Sequence, residues 1–298
     1  MLLSKLRSPE VMLLLVALIW GTSYGVAKGA LVFYPVLGFL SVRFVLTFMA
    51  LLPFLRGQWR KALKPGCLLG SVLLAIYLSE TFGVAHTSAS NAAFLISLCV
   101  VITPWVEWAM FRRRPTAQAF GYAALSLLGA FMLTGGRDIS LNTGDGLMLL
   151  AALLRALMVC FTRKLLQNTD IPTVALTAVQ VGVVGFGSLI ILLCTTGSLP
   201  PLPSAPDFWV ATVYLVLFCT LFAFFAQNAA LRHTTPSRAS LLMGAEPLFG
   251  ACFAVLWLGE QLSVLAWCGG LLIVLASLLG TRPVKGPGLA VRPVISGE

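Results

Sequence analysis

The sequence contains an internal repeat that spans about half of its length. Residues 77–132 align with residues 224–279 at a shift of 147 without a gap, and within them residues 86–95 lie over residues 233–242. Few residues are identical, but the order of small, polar and apolar positions is kept. In a strongly apolar chain, two copies of one segment indicate an internally duplicated membrane protein.

The composition identifies lipid as the solvent. Of 298 residues, 59% are hydrophobic and 10% are charged, whereas a soluble domain has about 25% charged residues. The net charge of +10 comes from cations clustered between apolar runs, so we expect the bilayer and a small molecule as partners, and no nucleic acid. The seven cysteines form no CxxC spacing and no Cys/His cluster, which predicts no metal site, no disulfide and no cofactor.

A membrane-spanning helix needs about 20 apolar residues. The sequence predicts an all-α integral membrane protein with ten such helices, near 11–31, 36–56, 66–85, 90–111, 117–135, 146–166, 172–195, 208–231, 238–258 and 263–281. The first run is too long for a signal peptide and no clear Ala-x-Ala pattern follows it, so we expect a retained helix. Residues 282–298 are rich in Pro and Gly and predict a flexible cytoplasmic tail.

The basic residues predict the orientation, because all those in loops except Arg137 fall on one side of the predicted membrane. That side carries Lys5, Arg7, Arg56, Arg60, Lys61, Lys64, Arg112, Arg113, Arg114, Arg163, Lys164, Arg232, Arg238, Arg282, Lys285 and Arg292. The positive-inside rule places this side and both termini in the cytoplasm, with the chain in the cytoplasmic (inner) membrane. One missed helix would destroy the alternation of the loops.

The repeat and the helix count together predict two inverted halves. Helices three to five match helices eight to ten, so the halves are residues 11–135 and 146–281, each with five helices. Five is an odd number, and the second half therefore enters the membrane from the opposite side. Inverted repeats of this kind expose one central site to each side of the membrane in turn.

Several short motifs follow one another along the chain, and their order and spacing together are more specific than any one of them. They are Trp20-Gly21-Thr22-Ser23 with Lys28, Leu40-Ser41-Val42-Arg43-Phe44, Thr87-Ser88-Ala89-Ser90-Asn91-Ala92-Ala93, Gly144-Asp145-Gly146, Glu246-Pro247 and Leu258-Gly259-Glu260. The chain resembles the EamA type of the drug/metabolite transporter (DMT) superfamily over residues 11–281. The resemblance implies ten helices, two inverted repeats, a central cavity, and export of small metabolites or amino acids. Two residues depart from the family pattern: Arg155 replaces a usual aromatic residue, and Glu80 stands where many members have Gln, as Gln227 does in the second half.

Three cations and three carboxylates fall within the predicted spans, namely Lys28, Arg43, Arg155, Glu80, Glu107 and Glu246. An ionised side chain at mid-bilayer costs about 2.5–3.5 kcal/mol on insertion scales. Each must therefore face a cavity, form a pair or reach the membrane surface. Glu107 lies one turn from the cytoplasmic end of helix four beside Arg112, and snorkelling explains it.

Of the remaining charges, Lys28 lies about one turn from the outer end of helix one, where it either snorkels or lines a cavity. The other four sit at two depths. Arg43 and Glu80 lie at similar depth, where an ion pair would be either structural or part of a substrate site. Arg155 and Glu246 lie near mid-membrane, and Pro247 leaves a backbone carbonyl free nearby. Glu246 is either a site for a proton or a substrate amine, or a charge-paired packing residue. Glu80 and Glu246 are the proton-coupling candidates.

We predict a secondary active transporter, a monomer or homodimer, that exports small metabolites, amino acids or drug-like amphipathic solutes by alternating access, with a proton as candidate coupling ion. Candidate cavity residues are Trp20, Lys28, Arg43, Glu80, Asn91, Arg155, Gln227 and Glu246, and none is expected to be catalytic. A membrane-embedded enzyme is one alternative, although His86 and His233 occupy equivalent positions near opposite surfaces. A channel or lipid scramblase is another, which the sequence excludes less well.

Overall fold

The computed structural model describes residues 8–55, 59–87, 89–112, 114–133, 142–258 and 261–281. Arg137 and the predicted tail, 282–298, lie outside these residues. Over the described part of the chain the secondary structure is entirely helical, without a strand. The predicted all-α fold class is therefore confirmed, while the arrangement of ten spans in two inverted halves stays a prediction.

Thirteen α-helices follow one another along the described chain. They are α1 (Pro9–Leu31), α2 (Val36–Leu51), α3 (Trp59–His86), α4 (Ala89–Ser97), α5 (Cys99–Phe111), α6 (Ala117–Leu133), α7 (Thr143–Leu166), α8 (Thr173–Thr196), α9 (Pro206–Tyr214), α10 (Ala223–Leu231), α11 (Pro236–Met243), α12 (Glu246–Leu258) and α13 (Val264–Thr281). A 3₁₀ turn, Leu52–Phe54, extends α2, and a π-helical segment, Leu215–Phe222, joins α9 to α10.

Within the described residues, seven helical segments are long and apolar enough to cross a membrane. They are Pro9–Leu31, Val36–Phe54, Trp59–Val84, Phe94–Phe111, Thr143–Leu166, Thr173–Thr196 and Pro206–Leu231, and two shorter apolar helices are Ala117–Leu133 and Val264–Gly280. Large apolar side chains such as Leu256, Val264 and Val210 are exposed on the surface of the bundle. A surface of this kind is stable in lipid, where apolar side chains need no cover.

Two predicted helices are broken at equivalent positions. The predicted span 90–111 is divided at Leu98 between α4 and α5, and the span 238–258 at Gly244 and Ala245 between α11 and α12. At both breaks the backbone tightens into bonds between residues three apart, such as Val101 N to Leu98 O and Leu248 N to Ala245 O. Positions 98 and 245 are 147 apart, which is the shift of the sequence repeat.

The helices of the two predicted halves pack against each other. The helix α2 packs along α8, and α6 packs along α13; α3 packs on α7, and α1 packs on the α9–α10 segment. Exchanging α1 with α7, α2 with α8, α3 with α9–α10 and α6 with α13 maps this set of contacts onto itself. These four contacts therefore follow a two-fold pattern.

Small residues bring helix backbones into direct contact where α6 crosses α13. A Cβ atom on Gly129 would lie 2.6 Å from the carbonyl oxygen of Gly269, and one on Gly269 would lie 2.5 Å from that of Gly129. Gly21 of α1 approaches the backbone of α12 at Glu246 and Gly250 equally closely. Close approach through small residues is typical of helices packed in membranes, where contact area replaces the hydrophobic effect.

Candidate functional site

A cavity of about 490 Å³ lies between the helices of the two predicted halves. Its walls come from α1, α2 and α3 on one side and from α7, α10, α11 and α12 on the other, with further residues from α4, α5 and α6. Most of the lining side chains are apolar, with a few charged and polar groups among them. A cavity of this size holds a small organic molecule.

Six of the eight predicted cavity residues line this one space. They are Trp20, Arg43, Glu80, Arg155, Gln227 and Glu246. The side chains of the other two, Lys28 and Asn91, lie outside the described residues. The fold thus brings together residues from six different helices, which no local pattern in the sequence places side by side.

Arg155 and Glu246 form an ion pair across the cavity wall. Nη2 of Arg155, on α7, lies 3.3 Å from Oε2 of Glu246, the first residue of α12. The guanidinium carbon of Arg155 lies 5.2 Å from the centroid of the Trp20 ring, a cation–π contact. The side chains are 18% and 7% exposed. Each charge is therefore compensated by the other, as burial in a low-dielectric region requires.

Arg43 is held by a hydroxyl and two rings rather than by a carboxylate. Its Nε donates to Oγ1 of Thr220 at 2.9 Å, and its guanidinium carbon lies 5.2 Å from the ring centroid of Phe44 and 5.6 Å from that of Tyr77. Among the described residues Arg43 forms no ion pair with Glu80, so the pair considered from their similar depth does not form. The aromatic rings of α2 and α3 lie beside the guanidinium instead.

Glu80 is the least compensated of the described charges that line the cavity. It lies on α3, about one turn beyond Tyr77, and is half-buried. Within the part of the chain that the structure describes, its carboxylate has neither a hydrogen bond nor an ion pair. A carboxylate in apolar surroundings is costly unless a proton or a cation neutralises it. In the described structure the Glu80 carboxylate therefore faces the cavity without a compensating partner.

The sequence reasoning missed residues that build the polar wall. Thr220 lies in the π-helical segment, where its hydroxyl donates to the carbonyl oxygen of Leu215, five residues earlier, at 2.9 Å. In the same segment the carbonyl oxygen of Cys219 accepts a hydrogen bond from Nε1 of Trp20 at 2.9 Å. A π segment changes the hydrogen-bond register and is frequent at functional sites. A lone threonine in an apolar run was the only sequence signal for it.

Aromatic residues form a second group that the sequence left unassigned. Tyr77 and Phe224 line the cavity, and the Phe224 ring lies 5.4 Å from that of Trp20. Aromatic residues in a membrane span fit a lipid-facing position as well as a cavity wall, so no sequence signal separates the two. Gln227, at the position equivalent to Glu80, donates from its amide nitrogen to Sδ of Met243 at 3.5 Å. The two equivalent positions therefore have different surroundings.

The sequence model of the EamA-like transporter family matches residues 7–135 and again residues 142–282. The chain belongs to the EamA-like transporter family. It is thus a multi-pass membrane protein of the DMT superfamily, as the sequence motifs indicated. The two matches cover nearly the whole chain, and the family assignment applies to both halves of the cavity.

Known proteins of the same kind resemble this EamA-like chain along most of their length. An uncharacterized transporter of Archaeoglobus fulgidus is 29% identical over 275 residues, covering 90% of this chain and 83% of that protein. The uncharacterized inner membrane transporter YedA of Escherichia coli K12 is 26% identical over 285 residues, covering 91% and 92%. A solved crystal structure superposes with a TM-score of 0.75 at 16% identity, covering 92% of this chain and 96% of that one. This last similarity is one of fold.

Proposed function

We propose that this EamA-like protein is a secondary active transporter, which exports small metabolites, amino acids or drug-like amphipathic solutes across the cytoplasmic membrane by alternating access. In this proposal the chain crosses the membrane ten times, as two inverted five-helix repeats at 11–135 and 146–281. Both termini lie in the cytoplasm. The names of the relatives, transporter and inner membrane transporter, support the class of function and the membrane.

Three observations support the inverted repeat. The family model matches the chain twice, once in each proposed half. The helix breaks at Leu98 and Ala245 fall at equivalent positions. The four helix contacts described above map onto themselves when the halves are exchanged. Equivalent halves that pack around one cavity can exchange conformations, and this exchange opens the cavity to each side in turn.

The single observation that carries the proposal is the cavity itself, with its apolar walls and its uneven charges. An amphipathic solute would place its apolar part against Trp20 and Phe224 and its charged part toward the polar wall. Glu80 is the candidate for contact with solute or proton, because its carboxylate has no partner among the described residues. Glu246 already pairs with Arg155, which favours a structural role for it.

The experiment is solute counterflow in liposomes that contain the purified protein. Vesicles are loaded with each unlabelled metabolite or amino acid of a panel, and uptake of the labelled compound is followed with and without a proton gradient. Saturable counterflow of at least one compound is the expected result. Single-channel currents, or lipid scrambling without solute movement, would instead assign the channel or scramblase alternative.

Two glycines of α1 offer a matched pair of variants for this assay. Gly25 lines the cavity, and a Cβ atom there would meet only Phe253, at 3.9 Å. Gly29, one turn later, has no atom within 4 Å of such a Cβ and is exposed. We expect Gly25→Leu to reduce counterflow by filling the cavity and Gly29→Leu to leave it unchanged. Equal loss in both variants would speak against this cavity as the transport site.

A further inference from the structure

Polar contacts join several helix termini at one end of the bundle. Arg163, near the end of α7, donates to the carbonyl oxygens of Leu231 and Arg232 at the end of α10. Glu10, in the first turn of α1, pairs with Arg238 of α11 at 3.1 Å. We call this the basic end, because Arg163, Arg232 and Arg238 lie there.

Glu107 binds the first turn of α11 at this end. Its Oε2 accepts a hydrogen bond from the backbone nitrogen of Ser237 at 2.9 Å and another from the Ser237 hydroxyl. Glu107 belongs to α5, so the contact joins the first predicted half to the second. The contact with Ser237 replaces the free, snorkelling position beside Arg112 that the sequence suggested. A carboxylate that accepts two hydrogen bonds makes a strong, charge-assisted link.

The helix that Glu107 holds is part of the cavity wall. Ser240, Met243 and Gly244 all line the cavity, and they follow Ser237 within two turns. The break at Gly244 and Ala245 then separates α11 from α12, which carries Glu246. The short helix α11 is therefore joined to the bundle by the polar contacts of its first turn and to α12 by an interrupted helix.

Among the described residues, the cavity lining reaches one end of the bundle and stops short of the other. Its lining includes Leu31 and Leu133, the last residues of α1 and α6, and Val84 near the end of α3. Toward the basic end its last lining residues are Ser240 and Gln227, each one turn inside its helix. The wall at the basic end thus contains the first turn of α11 and its contact with Glu107.

The repeat gives this contact no counterpart at the far end of the bundle. At the shift of 147, Ser237 corresponds to Ser90, but Glu107 corresponds to Ala254. An alanine has no carboxylate and cannot accept the equivalent hydrogen bonds. Glu10, by contrast, corresponds to Asp145 when the first helices of the two halves are aligned at a shift of 135 residues. Asp145 accepts a hydrogen bond from the hydroxyl of Thr87 at 2.5 Å.

We propose that Glu107 and Ser237 form a latch that keeps the basic end of the cavity closed, and that the repeat does not duplicate this latch at the far end, where the position equivalent to Glu107 is an alanine. The cavity then rests open toward the far end. Opening at the basic end requires α11 to release Glu107 and to turn about the break at Gly244 and Ala245. This proposal rests on the alternating access proposed above, but its test needs no transport, so that either can fail without the other.

Cys99 provides a native reporter, because it lines the cavity. The other six cysteines are replaced by alanine, and Cys99 is labelled with a membrane-impermeant maleimide in right-side-out and in inside-out vesicles. A separate Lys164→Cys variant without Cys99 identifies the vesicle face that exposes the basic end. We expect labelling of the parent from the far end, and slow labelling from the basic end.

The latch variants Glu107→Gln and Ser237→Ala should each raise labelling from the basic end by about tenfold, which corresponds to about 1.4 kcal/mol at 25 °C. Asp170→Asn is the matched control, since Asp170 is an exposed carboxylate in the α7–α8 connection near Arg232. Its labelling should equal that of the parent. Labelling from the far end reports on an intact fold, and it should not rise in the latch variants.

Two results would overturn the latch. One is basic-end labelling in both latch variants that stays at the parent rate. The other is a rise of similar size from both ends, or in Asp170→Asn as well, because that would indicate general loosening of the bundle. If Glu107→Gln were too unstable to purify, Ser237→Ala would decide alone, since it removes one hydrogen bond and keeps the charge.

Discussion

The two charged clusters of the cavity contain the same kinds of residue but differ in how their charges are balanced. On one wall Arg155 pairs with Glu246, and the pair lies against Trp20. On the other wall Arg43 and Glu80 both line the cavity, and no ion pair joins them in the described structure. The first cluster has the features of a structural link between α7 and α12. The second keeps a carboxylate available.

The difference follows from what surrounds each arginine. Arg43 finds its partners in Thr220 and in the rings of Phe44 and Tyr77, so that its charge is stabilised without a carboxylate. Glu80 is then left without that partner. Arg155 lies against the ring of Trp20, and its charge is balanced by Glu246 directly. Equal numbers of opposite charges in a membrane protein therefore do not determine which of them pair.

The largest effect is expected from breaking the ion pair. Glu246→Ala leaves the charge of Arg155 without its carboxylate in a buried site, which costs about 3–5 kcal/mol. Because natural domains are stable by about 5–15 kcal/mol, most of the folded protein would be lost or would melt at a much lower temperature. Thermal unfolding of the purified protein in detergent, with its yield from the membrane, measures the effect.

The double variant Arg155→Met with Glu246→Leu is the control for this loss. It removes both charges and keeps apolar volume, so it should recover most of the stability of the parent. A single Glu246→Ala variant as stable as the parent would show that the pair is not structural. The contrast between the two clusters would then disappear.

A smaller effect, on function rather than on stability, is expected from Glu80→Gln. The carboxylate has no described partner to lose, so the free energy of unfolding should change by less than about 1 kcal/mol. Counterflow should fall by about tenfold or more, which corresponds to about 1.4 kcal/mol, and should lose its dependence on the proton gradient. The measurements are thermal unfolding and counterflow at several pH values.

Gln227→Glu tests whether a carboxylate supports transport only in the first half of the chain or also at the equivalent position of the second half. It places a carboxylate at the equivalent position of the second half, where the Gln227 amide donates to Met243. A carboxylate at position 227 would be buried and could not donate that hydrogen bond. We therefore expect Gln227→Glu to destabilise the protein and, combined with Glu80→Gln, not to restore transport. Normal, pH-dependent counterflow in Glu80→Gln itself would remove Glu80 from the mechanism.

The smallest effect is expected from Arg43→Lys. Lysine keeps the charge but loses the planar stacking on Tyr77 and Phe44 and the directed bond from Nε to Thr220, which together contribute about 0.5–2 kcal/mol. Thermal unfolding should show a modest decrease. Thr220→Val removes the same hydrogen bond from the other side. The loss of stability in the double variant should therefore be smaller than the sum of the two single losses. Full additivity would contradict the contact.

Several helices could be predicted closely from the apolar runs, but their ends and interruptions could not. The run 66–85 marks the apolar part of α3, whereas the helix begins at Trp59, because the basic residues before it are helical without being apolar. The runs 90–111 and 238–258 are continuous in hydrophobicity, and nothing in that signal marks the breaks at Leu98 and Ala245. Hydrophobic length reports the embedding in lipid, not the backbone hydrogen-bond pattern.

The cavity residues, too, could be predicted only in part from the sequence. Charge in an apolar span is a strong signal because it is costly in lipid, and that signal pointed to Arg43, Glu80, Arg155 and Glu246, all of which line the cavity. Tyr77 and Phe224 gave no such signal, because an aromatic ring is stable facing either lipid or a cavity. Glu107 gave the same signal of charge in an apolar span. Its partner, Ser237, lies 130 residues away in the sequence, so the charge alone does not identify the contact.

The sequence by itself determined that this chain is a helical membrane protein, that it is duplicated, and which polar residues its spans must accommodate. These properties follow from composition, spacing and the cost of charge in lipid, which act along the chain. The tertiary structure decided which charges meet. Arg155 reaches Glu246, Arg43 reaches Thr220, and Glu80 is left facing the cavity. Pairing depends on the distance between side chains of different helices to within about an ångström, and only the packing of those helices fixes that distance.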